Sequence, residues 1–194
     1  MESKRWFYAI ALAAVVWTAC DDDDNDSDRN DFNDADETFV ERAGMSNMAE
    51  IEMGELALTR GTDSLVVAFA ESMVNDHTTA QDELANIADN DDDVDWPSNL
   101  DQEHQGIWET LSQLEGHRFD SAYIASQVTA HEKAVQLFQN GRDNGRNEDV
   151  RNYINKYLPK IEMHLEKADS IETVLPARQQ QDQDQAETVD PTNS

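Results

Sequence analysis

Between about Asp36 and Leu175 the apolar residues recur at alternating spacings of three and four, the period of a helix buried along one stripe, and no stretch alternates as a strand does. The pattern predicts a helix from Asp36 to Arg60 and a second from Thr62 to about Ala88, divided by Gly61. A short acidic loop, Asp89 to Trp96, leads to Pro97, after which Ser98 and Asp101 open a shorter helix that runs to about Glu115 and stops at Gly116. A third long helix is predicted from Phe119 to Asn140 and a fourth from about Asn147 to Leu175, separated by a loop from Gly141 to Arg146. Pro159 lies inside the fourth and removes one of its backbone hydrogen bonds. Four long helices with two short hairpin turns imply an all-α fold, an antiparallel four-helix bundle with one extra short helix on an end or flank.

The stripes show which faces meet. The second helix contributes Val66, Ala70, Met73, His77, Ala80, Leu84 and Ile87; the third contributes Ile124, Val128, His131, Val135 and Phe138. The fourth repeats the spacing from Val150 and Ile154 through Tyr157, Ile161 and His164 to Ala168, Ile171 and Leu175. The first carries a weaker stripe, Phe39, Ala43, Ser46, Glu50, Met53 and Ala57. Each stripe therefore holds one conspicuous polar residue near its middle: Glu50, His77, His131 and His164. The other two histidines, His104 and His117, stand in polar surroundings outside the stripes.

A buried imidazole must satisfy two ring nitrogens, and a buried carboxylate needs a cation, a donor or a proton, so the economical arrangement is for the four to meet. Two arrangements answer that need. In one, Glu50, His77, His131 and His164 bind a transition metal such as zinc, iron or copper, for which imidazole is the commonest ligand. In the other, Glu50 accepts hydrogen bonds from the imidazoles in a metal-free polar layer that fixes helix register. Register arithmetic opposes both: counted from the loop Gly141 to Arg146, His164 lies about seven residues farther out than His131, roughly 10 Å at helical rise. A ferritin-type di-iron site is excluded, because it needs a Glu-x-x-His pair on each of two helices. Here Val74, Val128 and Ile161 precede His77, His131 and His164 at that spacing. The acidic loop is no EF-hand either, since Val94 stands for its glycine and Leu100 for its closing glutamate.

Composition changes the picture at the ends of the chain. The 194 residues include 42 acidic and 14 basic side chains, a formal charge of −28, so the protein repels phosphate backbones and nucleic acid is not an expected partner. Lys4 and Arg5 precede an apolar run from Trp6 to Ala19, the layout of a secretory signal and too short for an ordinary membrane span. The run ends in Trp17-Thr18-Ala19-Cys20, which resembles a bacterial lipobox, although Trp17 stands where leucine is preferred. Residues 1–19 are then a lipoprotein signal peptide, and Cys20, the one cysteine, is the lipidation site and membrane anchor. That cysteine leaves none for a disulfide or for a thiol nucleophile.

Nine of the sixteen residues from Asp21 to Asp36 are aspartate. Residues 20–35 accordingly read as a disordered acidic tether, residues 36–176 as the bundle and residues 177–194 as a disordered tail rich in Gln and Asp. An acidic run just after a lipidated cysteine resembles the export tag that some Gram-negative lineages use for the outer face of the outer membrane. The expected location is the cell envelope, as a surface-exposed outer-membrane lipoprotein.

The stretches Met48 to Ala57, Phe69-Ala70 with Met73 to His77, Phe119 to Tyr123 with His131, and Leu158-Pro159 with His164 together resemble the bacterial family called domain of unknown function forty-one forty-two. The resemblance covers roughly Asp36 to Leu175. It implies a ferritin-like bundle in an exported or outer-membrane protein, with Glu50, His77, His131 and His164 among the characteristic positions. The chemistry stays open. The leading expectation is an envelope lipoprotein with a ferritin-like binding or structural module that holds a metal ion in its core. The alternative is an envelope oxidoreductase or metal-handling enzyme with a mononuclear His/Glu site, and a third class is an interaction protein whose acidic surface excludes nonspecific contacts.

Overall fold

In the computed structural model, residues 31–188 are described, with side chains through Gln181. The proposed signal peptide, Cys20 and most of the acidic tether lie outside the described residues. Among the described residues five helices follow one another: α1 (Asp34–Arg60), α2 (Ser64–Ala88), α3 (Gln102–Ser112), α4 (Gly116–Asn144) and α5 (Glu148–Thr188). The four long ones form the expected all-helical bundle, with α1 beside α2 and α4, and α5 beside α4 and α2. The short α3 lies against α1 and α4. Among the described residues no helix is long and apolar enough to cross a membrane.

Helix starts follow capping chemistry. Asn33 forms a reciprocal capping box with Asp36, and Asp63 and Asp101 accept backbone N–H groups at the starts of α2 and α3. The start expected for the short helix at Ser98 is thus displaced to Asp101. Gly116, read as a stop, is a left-handed residue with φ of 58° that turns the chain straight into α4.

Gly141 corrects a second boundary. It is interior to α4, and a Cβ there would lie 2.6 Å from the Phe39 ring, so this glycine lets α1 approach α4 rather than ending the helix. The expected loop from Gly141 to Arg146 shrinks to the three residues 145–147. At the other end α5 runs through both Pro159 and Pro176 to Thr188. Where a disordered tail is expected after Pro176, α5 thus continues, and Arg178 donates to Asp63 while Gln179 donates to the His117 carbonyl and the Ser121 hydroxyl.

The two hairpins hold each other reciprocally. Buried Asp36, at the start of α1, accepts the backbone N–H groups of Arg146 and Asn147 in the α4–α5 turn. Buried Asp120, at the start of α4, accepts those of Thr62 and Asp63 in the α1–α2 turn. Gly61 and Gly145 end the preceding helices with the same extended conformation, each N–H returning to the residue four back. Asp36 and Asp120, Gly61 and Gly145, and Asp63 and Asn147 all recur at one constant spacing along the chain, that from 36 to 120. The bundle is thus two similar helical hairpins packed in a reciprocal arrangement.

The core falls into two apolar clusters. One gathers Phe39, Val40, Leu84, Phe138, Ile154 and Ile161 near the α4–α5 turn; the other gathers Met53, Phe69, Met73, Tyr123, Ile124 and Ile171 near the α1–α2 turn. Along α2 the boundary falls at His77, along α4 at Gln127 and His131, and along α5 at His164. All four are buried. A polar layer crosses the middle of the bundle.

Candidate metal centre

His77, His131 and His164 come from three different helices, and the structure brings them together. Their ring centroids lie 5.8 Å (His77–His131), 5.7 Å (His77–His164) and 5.5 Å (His131–His164) apart. One ring nitrogen from each lies within 4.8 Å of the others. The register objection fails because α4 ends at Asn144 rather than Asn140, so His131 and His164 differ in distance from the turn by only about three residues, roughly 4.5 Å at helical rise.

Each ring is held by one nitrogen. His77 Nδ1 is 2.9 Å from the Asn47 side-chain carbonyl, and Asn47 in turn donates to the Tyr153 hydroxyl. His131 Nδ1 is 2.9 Å from the Gln127 backbone carbonyl one turn earlier in α4. His164 Nε2 is 3.0 Å from the Asp76 carboxylate, whose other oxygen accepts from Lys160 at 2.7 Å. All three partners are acceptors, so each bonded nitrogen carries the proton. The remaining nitrogen, Nε2 of His77, Nε2 of His131 and Nδ1 of His164, then has a bare lone pair, and none of the three has a hydrogen-bond partner.

The electrostatics keep the lone pairs of His77 and His164 free. Burial, helped by the charges of His131, His164 and Lys160, pushes the His77 pKa well below the usual imidazole range. Burial and His131 also lower that of His164, although Asp76 partly offsets them. Burial raises Asp76, but hydrogen bonds from Lys160 and His164 and their charges outweigh it and hold the carboxyl below its ordinary value. Neutral rings beside an ionised carboxylate form the outer-shell arrangement that raises ligand basicity at metal sites.

Glu50 is buried, but it is not a member of the group of ligand atoms that converges. Its Oε2 has no partner, and its carboxylate acts on the Tyr123 phenol. His104 and His117 stand apart, as expected; His104 bonds Asp101 at 2.7 Å near the start of α3.

Sequence reasoning missed Asn47, Asp76, Gln127 and Tyr123. Two signals were available. Gln127 stands four residues before His131, and Asn47 three before Glu50, so both are polar residues sharing a buried helix face with a candidate site residue. Asp76 gave no such signal. It neighbours His77 in sequence but serves His164, a partner that only the α2–α5 packing reveals.

The sequence profile of the family described as a domain of unknown function, DUF4142, matches residues 23–171. The chain belongs to that family. The match contains all three histidines and every residue that orients them. No curated protein and no solved structure matches the chain.

Proposed function

We propose that this DUF4142 domain is a mononuclear transition-metal module, anchored in the cell envelope through lipidated Cys20 and acting outside the cytoplasm. The observation that carries the metal reading is the pairing at the three histidines: one nitrogen of each is tied to an acceptor, the other has no partner, and each ring brings a nitrogen within 4.8 Å of the others. Three buried lone pairs without donors are costly in a metal-free layer. An ion removes that cost, with zinc, iron and copper all suited to three neutral imidazoles. Tetrahedral ligands at metal–nitrogen bonds of about 2.1 Å lie roughly 3.4 Å apart, so the three rings would have to move inward to hold an ion.

Elemental analysis of protein purified without a metal-affinity tag tests the reading. About one equivalent of a single transition metal is expected, lost when the three histidines are replaced by alanine. Asp76→Asn should weaken binding roughly 10–100-fold, the usual cost of losing an outer-shell carboxylate. Metal-free protein that also fails to take up zinc, iron or copper on titration would refute the reading. Envelope anchoring is tested separately: Cys20→Ser should release the protein from membranes or leave its signal uncleaved, and unchanged mass and membrane association would refute lipidation.

A catalytic reading has one observation in its favour. Three protein ligands leave a coordination position open, as catalytic rather than structural sites do. An envelope oxidoreductase or metal-handling enzyme is therefore the second reading.

A further inference from the structure

Polar atoms without partners continue past the histidines. Glu50 Oε2, the Tyr123 hydroxyl and both ends of the Gln127 side-chain amide are buried and unbonded. Gln127 and Tyr123 are fully buried on α4, one and two turns before His131, and residues at that spacing share a helix face. The Phe69 ring stands 6.4 Å from the rings of both Tyr123 and His131. On the facing helix, Glu50 follows by about one turn the Asn47 that holds His77. Glu50 also lines a groove of about 1280 Å³ between α1, α4 and the segment carrying Trp96, which opens to solvent.

We propose that Glu50, Tyr123 and Gln127 form a subsite beside the histidine triad, reached from this groove, that holds a small uncharged hydroxyl-bearing ligand on the metal's open position. The inference rests on the metal reading above. Its chemistry follows from the donor and acceptor inventory: an ionised Glu50 accepts, the Gln127 amide donates and accepts, and the Tyr123 hydroxyl does both. A ligand that satisfies all three must itself donate and accept, as water, hydrogen peroxide or a small alcohol does. Glu50 also sets the selectivity. An anion at the same position meets a buried carboxylate with no cation bonded to it, and is repelled.

The test is azide titration of the full chain loaded with Co(II), followed by its visible spectrum. Azide is a small anion that accepts but does not donate, so the three side chains act on it with opposite signs. Glu50→Gln should tighten azide binding about tenfold by removing the repulsion. Tyr123→Phe and Gln127→Met should each weaken it roughly 2–10-fold by removing a donor. Loosening of the fold would shift all three variants the same way, so opposite signs support the subsite. Azide affinities that match the wild type in all three would overturn it. Loss of Co(II) binding in Glu50→Gln would make Glu50 a ligand and overturn it as well. If the wild-type protein shows no Co(II) spectrum at all, the metal reading fails first and the subsite falls with it.

Discussion

The ends and the middle of this bundle both bury carboxylates, and they treat them in opposite ways. Asp36 accepts backbone N–H groups from Asn33, Arg146 and Asn147, and Asp120 accepts from the Thr62 backbone, the Thr62 hydroxyl and the Asp63 backbone. Both are fully buried with their hydrogen bonds made. In the middle, Glu50, Tyr123, Gln127 and one nitrogen of each histidine are buried with hydrogen bonds unmade. On the metal reading proposed above, the difference separates groups that complete the fold from groups that would meet a ligand.

The sharpest way to break this comparison is to supply the ligand. Metal that binds only the native state stabilises it by about 4 kcal/mol at a thousand times Kd, and a chelator removes that increment. The melting temperature should fall on chelation and recover with one particular ion. Alanine at His77, His131 or His164 should abolish the response. A chelator-insensitive melt in protein that carries metal by elemental analysis would place the ion elsewhere.

At the turns the expectation inverts. Asp120→Ala leaves the Thr62 and Asp63 N–H groups without their acceptor and should destabilise the domain by about 3 kcal/mol, the range for losing charge-assisted bonds to buried donors. Asp36→Ala should behave alike, since the arrangement is reciprocal. Metal affinity, measured where both variants remain folded, should not change. Were Asp120→Ala to weaken metal binding as strongly as it weakens the fold, turn and layer would be one coupled unit.

Acid probes the layer without mutation. His77 and His164 titrate below the usual imidazole range when folded, so between about pH 6.5 and their folded values the unfolded chain binds protons that the folded chain does not. Stability of the metal-free domain should then fall as pH drops below about 6.5, by up to roughly 2.7 kcal/mol per unit for two such groups, and be flat above it. Urea unfolding at pH 5.5 and 7.5 measures this. The slope should shrink in His77→Gln, and a flat profile through this range would mean that the rings are hydrated or already charged.

How much of this was legible beforehand follows from which forces were local. The four long helices, the hairpin order and the seam residues His77, His131 and His164 were readable, because a periodic apolar stripe depends only on side chains within one helix. The convergence of the histidines was expected from their need for partners but opposed by the register count, because that count depended on four residues at one boundary. Gly141 reads as a turn residue, yet it is a packing residue whose missing Cβ admits Phe39. Asp76 and Asn47 were equally hidden, since an acceptor on one helix acquires meaning only from the donor that another helix brings to it. The reciprocal spacing of Asp36 and Asp120 was present in the sequence as a repeat, but two aspartates among so many carry no signal of their own.

The smallest expected effect tests the region beyond Pro176. Beyond Pro176 the chain has the makeup of a disordered tail, yet α5 continues, and Arg178 reaches back to the N-cap of α2 with a 2.7 Å bond to buried Asp63. Asp63 does not depend on that bond alone. Its other oxygen accepts from the Leu65 backbone, and although burial raises its pKa, the Arg178 and Leu65 bonds together hold it below the ordinary value. The guanidinium is half exposed, so solvent screens the pair and its contribution should be about 0.5–1 kcal/mol. Deleting everything after Pro176 should therefore lower stability by about 1 kcal/mol, leave metal affinity intact and leave the melt cooperative, because Leu175 and the rest of the α5 stripe remain. Arg178→Gln should reproduce most of that loss. A deletion that unfolds the domain would show that the tail belongs to the core, whereas one with no measurable effect would show that the Arg178–Asp63 contact adds nothing to the cap that Asp63 already makes.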